Sequence, residues 1–474
     1  MAPREPRSMH GWRGKVVFGP SGLPPAFRPG QVLIKTEENL SLDELVSQGV
    51  LRADDAPPTL VREGTPDGWT RLELPGRAEL PDRSTEEIEE VTRETLRIVD
   101  ALRARGQDAQ PNHVFFADPF TANPFTANPF TANPFTANPF TANPFTANPF
   151  TANENGWPSA DAHETGIRPS TAEPVDPPAQ KLSSLVNGRT STRSTVRPAK
   201  ILVLDTGLPT GDVTDPMLTT TSTDPEEQDK PDAEQPTDGR LDPAAGHGMF
   251  IKSIITRLAP SSEVDVVRVL DGLGAGDERE IHAALMAGVG KYDLVNLSFG
   301  TYTPYFPKLL WEAITALQRG AKKMSDPRDD SQAAVVVASA GNDGTSAAPM
   351  PASLPGVVSV AALDESGCSP AWFSNYGPWV TACAPGTKIH ADFWTWMGER
   401  TWTGGARWSG TSFAAPYVVG ALAQEMGRRA AEMQGPNPSP DARDAVTVLL
   451  HDPTLPRLPW HGTIVKGRSP NAVG

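Results

Sequence analysis

The stretch ILVLDTG at 201–207 is four apolar residues that stop on a carboxylate and a glycine. A strand apolar at every position has no solvent face, so it belongs inside a sheet covered on both sides. The chain repeats the theme downstream. Residues 246–258 set Phe250, Ile251, Ile254, Ile255 and Leu258 on one helical stripe, and 264–270 read as a strand again. Helix 278–289, strand 294–299, helix 308–323 and strand 333–338 continue the alternation. Apolar strands alternating with helices predict an α/β domain, a doubly wound parallel sheet with helices on both faces. Residues 212–242 interrupt it with an acidic, Pro-containing, aperiodic insertion, expected to be a solvated loop.

Upstream the pattern differs. It predicts a strand at 31–35, a helix at 41–51 capped by Ser41 with Glu44 at the capping-box position, and strands at 58–63 and 69–74 around a Thr-Pro-Asp-Gly turn. A long helix capped by Ser84 follows, with Ile88, Val91, Leu96, Ile98 and Leu102 among its apolar positions, and then a strand at 111–116. The order βαββαβ describes a small α+β unit of the ferredoxin-like kind at 28–118, after an extension at 1–27. Seven copies of Pro-Phe-Thr-Ala-Asn occupy 119–153. A five-residue period is too short for a solenoid unit, and a proline in every copy blocks helix interiors and sheet ladders. Two readings stand for the repeats: a semi-extended linker, or an array of evenly spaced Phe residues for binding or cleavage. A connector rich in Pro, Ser and Thr spans 154–198, the α/β domain 199–460 and a tail 461–474.

A length of 474 residues is ample for a packed enzyme core beside smaller units. The 42 basic and 57 acidic residues leave a net charge of -15, which argues against nucleic acid or an anionic membrane as the main partner. Cys368 and Cys383 are too few for a disulfide framework or a zinc site of cysteines, and stand either as one bridge or as two buried thiols. The N-terminus has no apolar h-region and no 18-residue apolar run occurs, so the expectation is a cytoplasmic chain outside the general export route, unless the start is misassigned.

Four segments bring chemistry into the α/β domain. Asp205 ends the first strand, where open α/β sheets carry functional groups, though a carboxylate there also serves as a helix cap. His247 lies between Gly246 and Gly248 at the start of a helix. Ser412, in Gly-Thr-Ser-Phe-Ala-Ala-Pro at 410–416, stands at a helix N-terminus, where free N–H groups and the dipole favour negative charge. Asn342, in Ala-Ser-Ala-Gly-Asn-Asp-Gly at 338–344, can offer its NH2 to an oxyanion or simply make a turn. Each is ambiguous alone. Together they fall in the order Asp, His, Asn, Ser within one domain.

On VLDTG, GHG, ASAGNDG and GTSFAAP, the region from about 200 to about 452 resembles the subtilisin-like serine proteases. VNLSFG at 295–300 looks like the family's substrate-pairing strand, and the stretch from Pro351-Ala352-Ser353 through Phe373-Ser374-Asn375 to Ala384-Pro385-Gly386 has the same likeness. The resemblance implies a serine endopeptidase in which Asp205 orients the imidazole, His247 is the general base, Ser412 the nucleophile and Asn342 the oxyanion donor. It implies substrate contacts at Leu297, Ser298, Phe299 and Gly300 and a pocket at Ala338, Ser339, Ala340 and Gly341. The βαββαβ unit resembles the propeptide that inhibits such enzymes, making it a partner alongside protein or peptide substrates. No cofactor is expected for catalysis and no metal ligands are assigned; structural calcium is compatible but has no motif.

The chain departs from the family at Met249 and Phe250 after Gly248, and at Gly300-Thr301, where a glycine pair is common. An insertion with Trp394, Trp396, Trp402 and Trp408 is either a hairpin packed on itself or an aromatic wall beside the cleft. Rival readings fit less of the chain. An aspartic protease needs a second Asp-Thr/Ser-Gly or a dimer, an esterase elbow needs glycine where Ala414 stands, and a non-catalytic binder leaves the four segments unexplained.

Overall fold

The computed structural model describes residues 27–36, 41–52, 58–61, 68–74, 85–117, 172–182, 185, 197–211, 213–222, 224, 227–232, 239–320, 333–398, 401–433 and 441–465. The repeats, the Ser84 cap and most of the turn at 65–68 lie outside them.

The N-terminal unit runs β1 (Phe27–Lys35), α1 (Leu42–Ser47), β2 (Thr59–Val61), β3 (Trp69–Glu73), α2 (Thr85–Arg103) and β4 (Ala109–Ala117). Ser41 caps α1 by accepting from the Glu44 N–H at 3.2 Å. The helix is shorter than expected because Gly49, at φ 68°, turns the chain out of it. The antiparallel order β4-β1-β3-β2 is that of a split βαββαβ unit, with Val32, Ile34, Leu72, Ile98, Val99 and Leu102 in its core.

A strand β5 (Glu173–Val175) leads to the main domain, which begins with β6 (Lys200–Asp205), α3 (His247–Leu258), β7 (Glu263–Arg268), β8 (Ala275–Asp277), α4 (Glu278–Gly288) and β9 (Leu294–Leu297). It continues through β10 (Phe299–Gly300), α5 (Lys308–Arg319), β11 (Val335–Ser339), β12 (Val358–Leu363), β13 (Ala382–Pro385), β14 (Ile389–Met397) and β15 (Thr401–Trp408). The last elements are α6 (Thr411–Glu432), α7 (Ala442–Val446), β16 (Arg457–Leu458) and β17 (Gly462–Ile464). The eight-stranded sheet has the order β16-β17-β13-β12-β11-β9-β6-β7, parallel from β7 to β17. Its first strand explains the two layers. Ile201 and Val203 face the core made with α3 and α6, while Leu202 and Leu204 face the core made with α4 and α5. Successive strand residues point to opposite faces, so an all-apolar strand needs a cover on each. The strand order reverses at β6, and Asp205 stands at its carboxyl end.

The expected strand at 294–299 is two. The chain leaves the main sheet at Ser298, and β10 pairs with β4 of the N-terminal unit. Four other expectations are corrected. The insertion at 212–242 is not simply solvated, since Leu218 and Leu241 enter the core and Asp215, Asp229 and Asp242 are buried. The connector carries β5, which pairs with β15, and buries Ala172 and Leu182 in the main core. The tail's β17 is a strand of the main sheet beside β13, so the α/β domain extends past 460. Cys368 is exposed and Cys383 buried, both as free thiols, with burial pushing the Cys383 thiol up to about 12. Among the described residues no helix is long and apolar enough to cross a membrane.

Candidate active site

Asp205 and His247 meet because β6 ends where α3 begins. His247 Nδ1 lies 2.8 Å from Asp205 Oδ1, which also accepts the Thr206 N–H at 2.8 Å, and both side chains are fully buried. The bond orients the ring, and its Nε2 is buried with no hydrogen-bond partner among the described residues. Gly246 makes the entry into α3 possible. It sits at φ 79°, and a Cβ there would lie 2.5 Å from the Phe393 ring.

A third carboxylate holds this corner. Asp229 Oδ2 accepts from the Gly246 N–H at 2.8 Å and from Thr206 Oγ1 at 3.0 Å, and Thr206 Oγ1 in turn accepts the Gly248 N–H at 3.1 Å. The residues flanking Asp205 and His247 are thereby tied together. Burial pushes the Asp229 carboxyl up to about 7, against the opposing hydrogen bonds and the Arg268 charge. Sequence reading missed Asp229 because it lies in an aperiodic insertion; its one signal was a carboxylate amid polar residues.

Ser412 is the second residue of α6, and Gly410 is the cap. Its Oγ donates to the Ser298 carbonyl at 3.4 Å, while Ser298 Oγ donates to the Ser412 carbonyl at 2.9 Å. The second bond offsets a loss at Pro416. As the sixth residue of α6 it lacks the N–H that would bond the Ser412 carbonyl, and Ser298 supplies the missing donor. His247 is flanked by Phe413 at 5.3 Å and edge-on by Trp408 at 5.5 Å between ring centroids.

Asn342 Oδ1 accepts from the Thr411 N–H at 2.8 Å and from Thr411 Oγ1 at 3.0 Å, so the group this side chain can offer a substrate is its NH2. The turn carrying it is held by Asn375, whose amide donates to the Ala340 carbonyl and whose oxygen accepts the Asp343 and Thr345 N–H groups. Gly341, at φ 96°, leaves room for that amide, since a Cβ would fall 2.3 Å from Asn375 Nδ2.

The expected substrate residues divide. Phe299 and Gly300 form a pairing edge, occupied by Ala117 and Phe116 in antiparallel register. Leu297 and Ala338 do not line a cleft: they are register partners inside the main sheet, buried in the core under α4 and α5. Ala340 packs with Ala361, Leu363, Val380 and Cys383, so the small residues at 338–340 fill a core instead of opening a pocket. Ser339 is likewise buried at the end of β11. On the other side of β4, Val114, Phe115 and Phe116 pair with Asp277, Gly276 and Ala275 of β8. The tryptophan insertion is a hairpin, but not one packed on itself: Trp394, Trp402 and Trp408 are buried in the main core, and Trp408 touches Phe250, Phe393 and Phe413 as well as His247.

The profile of the Subtilase family matches residues 197–437. A thermophilic serine proteinase of Bacillus sp. (strain AK1) is 35% identical over 184 residues, 38% of this chain and 40% of that protein. Subtilisin BL of Lederbergia lenta is 32% identical over 189 residues, 38% of this chain and 62% of that one. The match thus covers less than two thirds of each relative. Among solved structures, a lanthipeptide protease aligns over 59% of this chain and 89% of its own, with 23% identity and a TM-score of 0.44.

Proposed function

The chain belongs to the subtilase family, and from that premise we propose that it is a serine endopeptidase working through an acyl-enzyme, synthesised with its own inhibitor. The observation that carries the reading is the buried 2.8 Å contact between Asp205 and His247, with the ring's Nε2 unpartnered among the described residues and the ring beside Phe413, the neighbour of Ser412. In the proposed reaction the Ser412 hydroxyl turns from the Ser298 carbonyl to His247 Nε2 and gives it its proton while attacking the scissile carbonyl. Asp205 stabilises the imidazolium, and the NH2 of Asn342 meets the oxyanion at the N-terminus of α6. The imidazolium then returns the proton to the leaving amine, and water repeats the cycle to release the acid. These residues suffice without a cofactor.

The inhibitory part of the reading rests on β4, which fills the space between β8 and β10 that an extended substrate would pair with. The activating cut belongs after Asp118 and before Ala172, because Ala172 and β5 are packed into the main domain. The test is labelling with a fluorophosphonate and hydrolysis of casein by the full chain and by Ser412→Ala, with intact masses of both. Labelling, hydrolysis and a cut within 118–172 in the wild type alone are expected. Equal turnover in Ser412→Ala would remove the assignment.

A further inference from the structure

The strand seated between β8 and β10 ends in Phe115-Phe116-Ala117, the sequence goes on as Asp118-Pro119, and the repeats then give Phe-Thr-Ala-Asn seven times over, six of them followed by Pro. The match has a structural logic. Phe115 and Ala117 face the same side, are buried, and pack in the cluster of Val269, Leu270, Ile281, Leu297 and Phe299. Phe115 meets Phe299 edge-on at 5.9 Å, and the Ala117 N–H donates to the Gly274 carbonyl at 2.7 Å. Both residues are identical in every repeat. Phe116, which faces the other way and is half-buried, becomes Thr; Asp118 becomes Asn. Where β4 has Val114, the repeats have Pro, apolar but without an N–H.

Resting on the endopeptidase reading of this site, we propose that the groove between β8 and β10 recognises extended Phe-X-Ala-Asx segments, and that the seven repeats are further ligands for it, competing with β4 for the same place. A repeat keeps the side chains that the groove buries and runs in the same direction, so it can pair with Phe299 and Gly300 as β4 does. It lacks the anchors that Gln110, Asn112 and His113 give β4 on Glu278 and Asp277, so a single copy binds more weakly. Seven copies on the same chain offset that by raising the concentration of ligand at the groove, without any new contact. When β4 withdraws, a repeat takes its place.

The experiment uses the full-length chain. With Ser412→Ala to prevent turnover, Phe115→Ala to loosen β4 and residues 119–153 replaced by a Gly/Ser spacer of equal length, a fluorescent Asn-Pro-Phe-Thr-Ala-Asn-Pro peptide should bind by anisotropy. A scrambled peptide, or one with Phe replaced by Ala, should bind at least tenfold more weakly. In chains with Ser412 intact, the spacer alone and Phe115→Ala alone should each raise peptide hydrolysis little, and the two together at least tenfold beyond their product. Ala117→Asp is the second route to an empty groove if Phe115→Ala unfolds the N-terminal unit. Equal binding of repeat and scrambled peptides, or full activation by Phe115→Ala with the repeats present, would overturn the proposal. A chain that binds the repeat peptide but shows no Ser412-dependent hydrolysis would instead remove the endopeptidase reading and leave the groove assignment standing.

Discussion

Among the described residues lie two buried histidine–carboxylate pairs, and they differ in what the second ring nitrogen meets. His247 Nδ1 is 2.8 Å from Asp205 and its Nε2 has no partner among the described residues. His113 Nδ1 is 2.6 Å from Glu278, its Nε2 lies 3.1 Å from Thr303 Oγ1, and Glu278 also accepts from Gln110 and the Leu310 N–H. The first pair is wrapped in aromatic rings; the second joins β4 to the main domain through a polar network that includes Asp277, Asn112 and Arg28. Burial alone would raise the Asp277 carboxyl, yet Arg28 and Arg279 hold it down at about 2. The same pair of residue types is thus poised for proton transfer where one nitrogen is left over, and serves as a joint where both are satisfied.

The sharpest break of that comparison is to delete each ring. His247→Ala should lower kcat/KM by about a million-fold, as members of a serine triad act as a unit. His113→Ala should leave the chemistry intact and raise the activity of the uncut chain, because the docked strand loses a buried hydrogen-bonded partner worth about 1–3 kcal/mol, roughly 5- to 150-fold in occupancy. Equal losses in the two variants would end the distinction between them.

Asn342→Ala should reduce kcat by roughly 100- to 1,000-fold with KM little changed, since its NH2 acts on charge that develops only in the transition state. Steady-state kinetics on an activated enzyme make the check, and a change confined to KM would point to substrate positioning.

The smallest effect concerns Asp229. Its folded pKa of about 7 stands above the ordinary value of 3.8, so the folded protein holds a proton that the unfolded chain releases. Stability from this group is complete below about pH 4 and is lost as pH rises through 7. Asp229→Asn cannot titrate, and its melting temperature should fall less between pH 4 and 8 than that of the wild type, by roughly 5 °C or more. Parallel melting curves for the two proteins would show the carboxylate to be ionised throughout.

How much of this was legible depended on the range of the interaction. Asp205, His247, Asn342 and Ser412 each sit in a local motif whose glycines and small residues answer to backbone geometry, and the structure brings Asp205 to His247 and Asn342 to the start of α6. The supports of those residues did not carry such marks. Asp229 acts on segments 17 and 23 residues away and Asn375 on one 30 to 35 residues away, through hydrogen bonds that no periodicity encodes. Small size misled at 338–340: Ala338 and Ala340 suggested an open pocket, whereas their smallness lets neighbouring strands and side chains close over them.

By itself the sequence determined the alternation of strand and helix, the two-sided sheet and the order of the reactive residues, because the apolar period and the chain's own punctuation are local properties. Only the tertiary structure decided that Trp408 presses on His247, that 172–182 and 462–464 belong to the main domain, and that β4 lies between β8 and β10. Those arrangements come from which surfaces exclude water from one another across long stretches of chain, and such pairing depends on complementary shape and buried area instead of on neighbours in sequence.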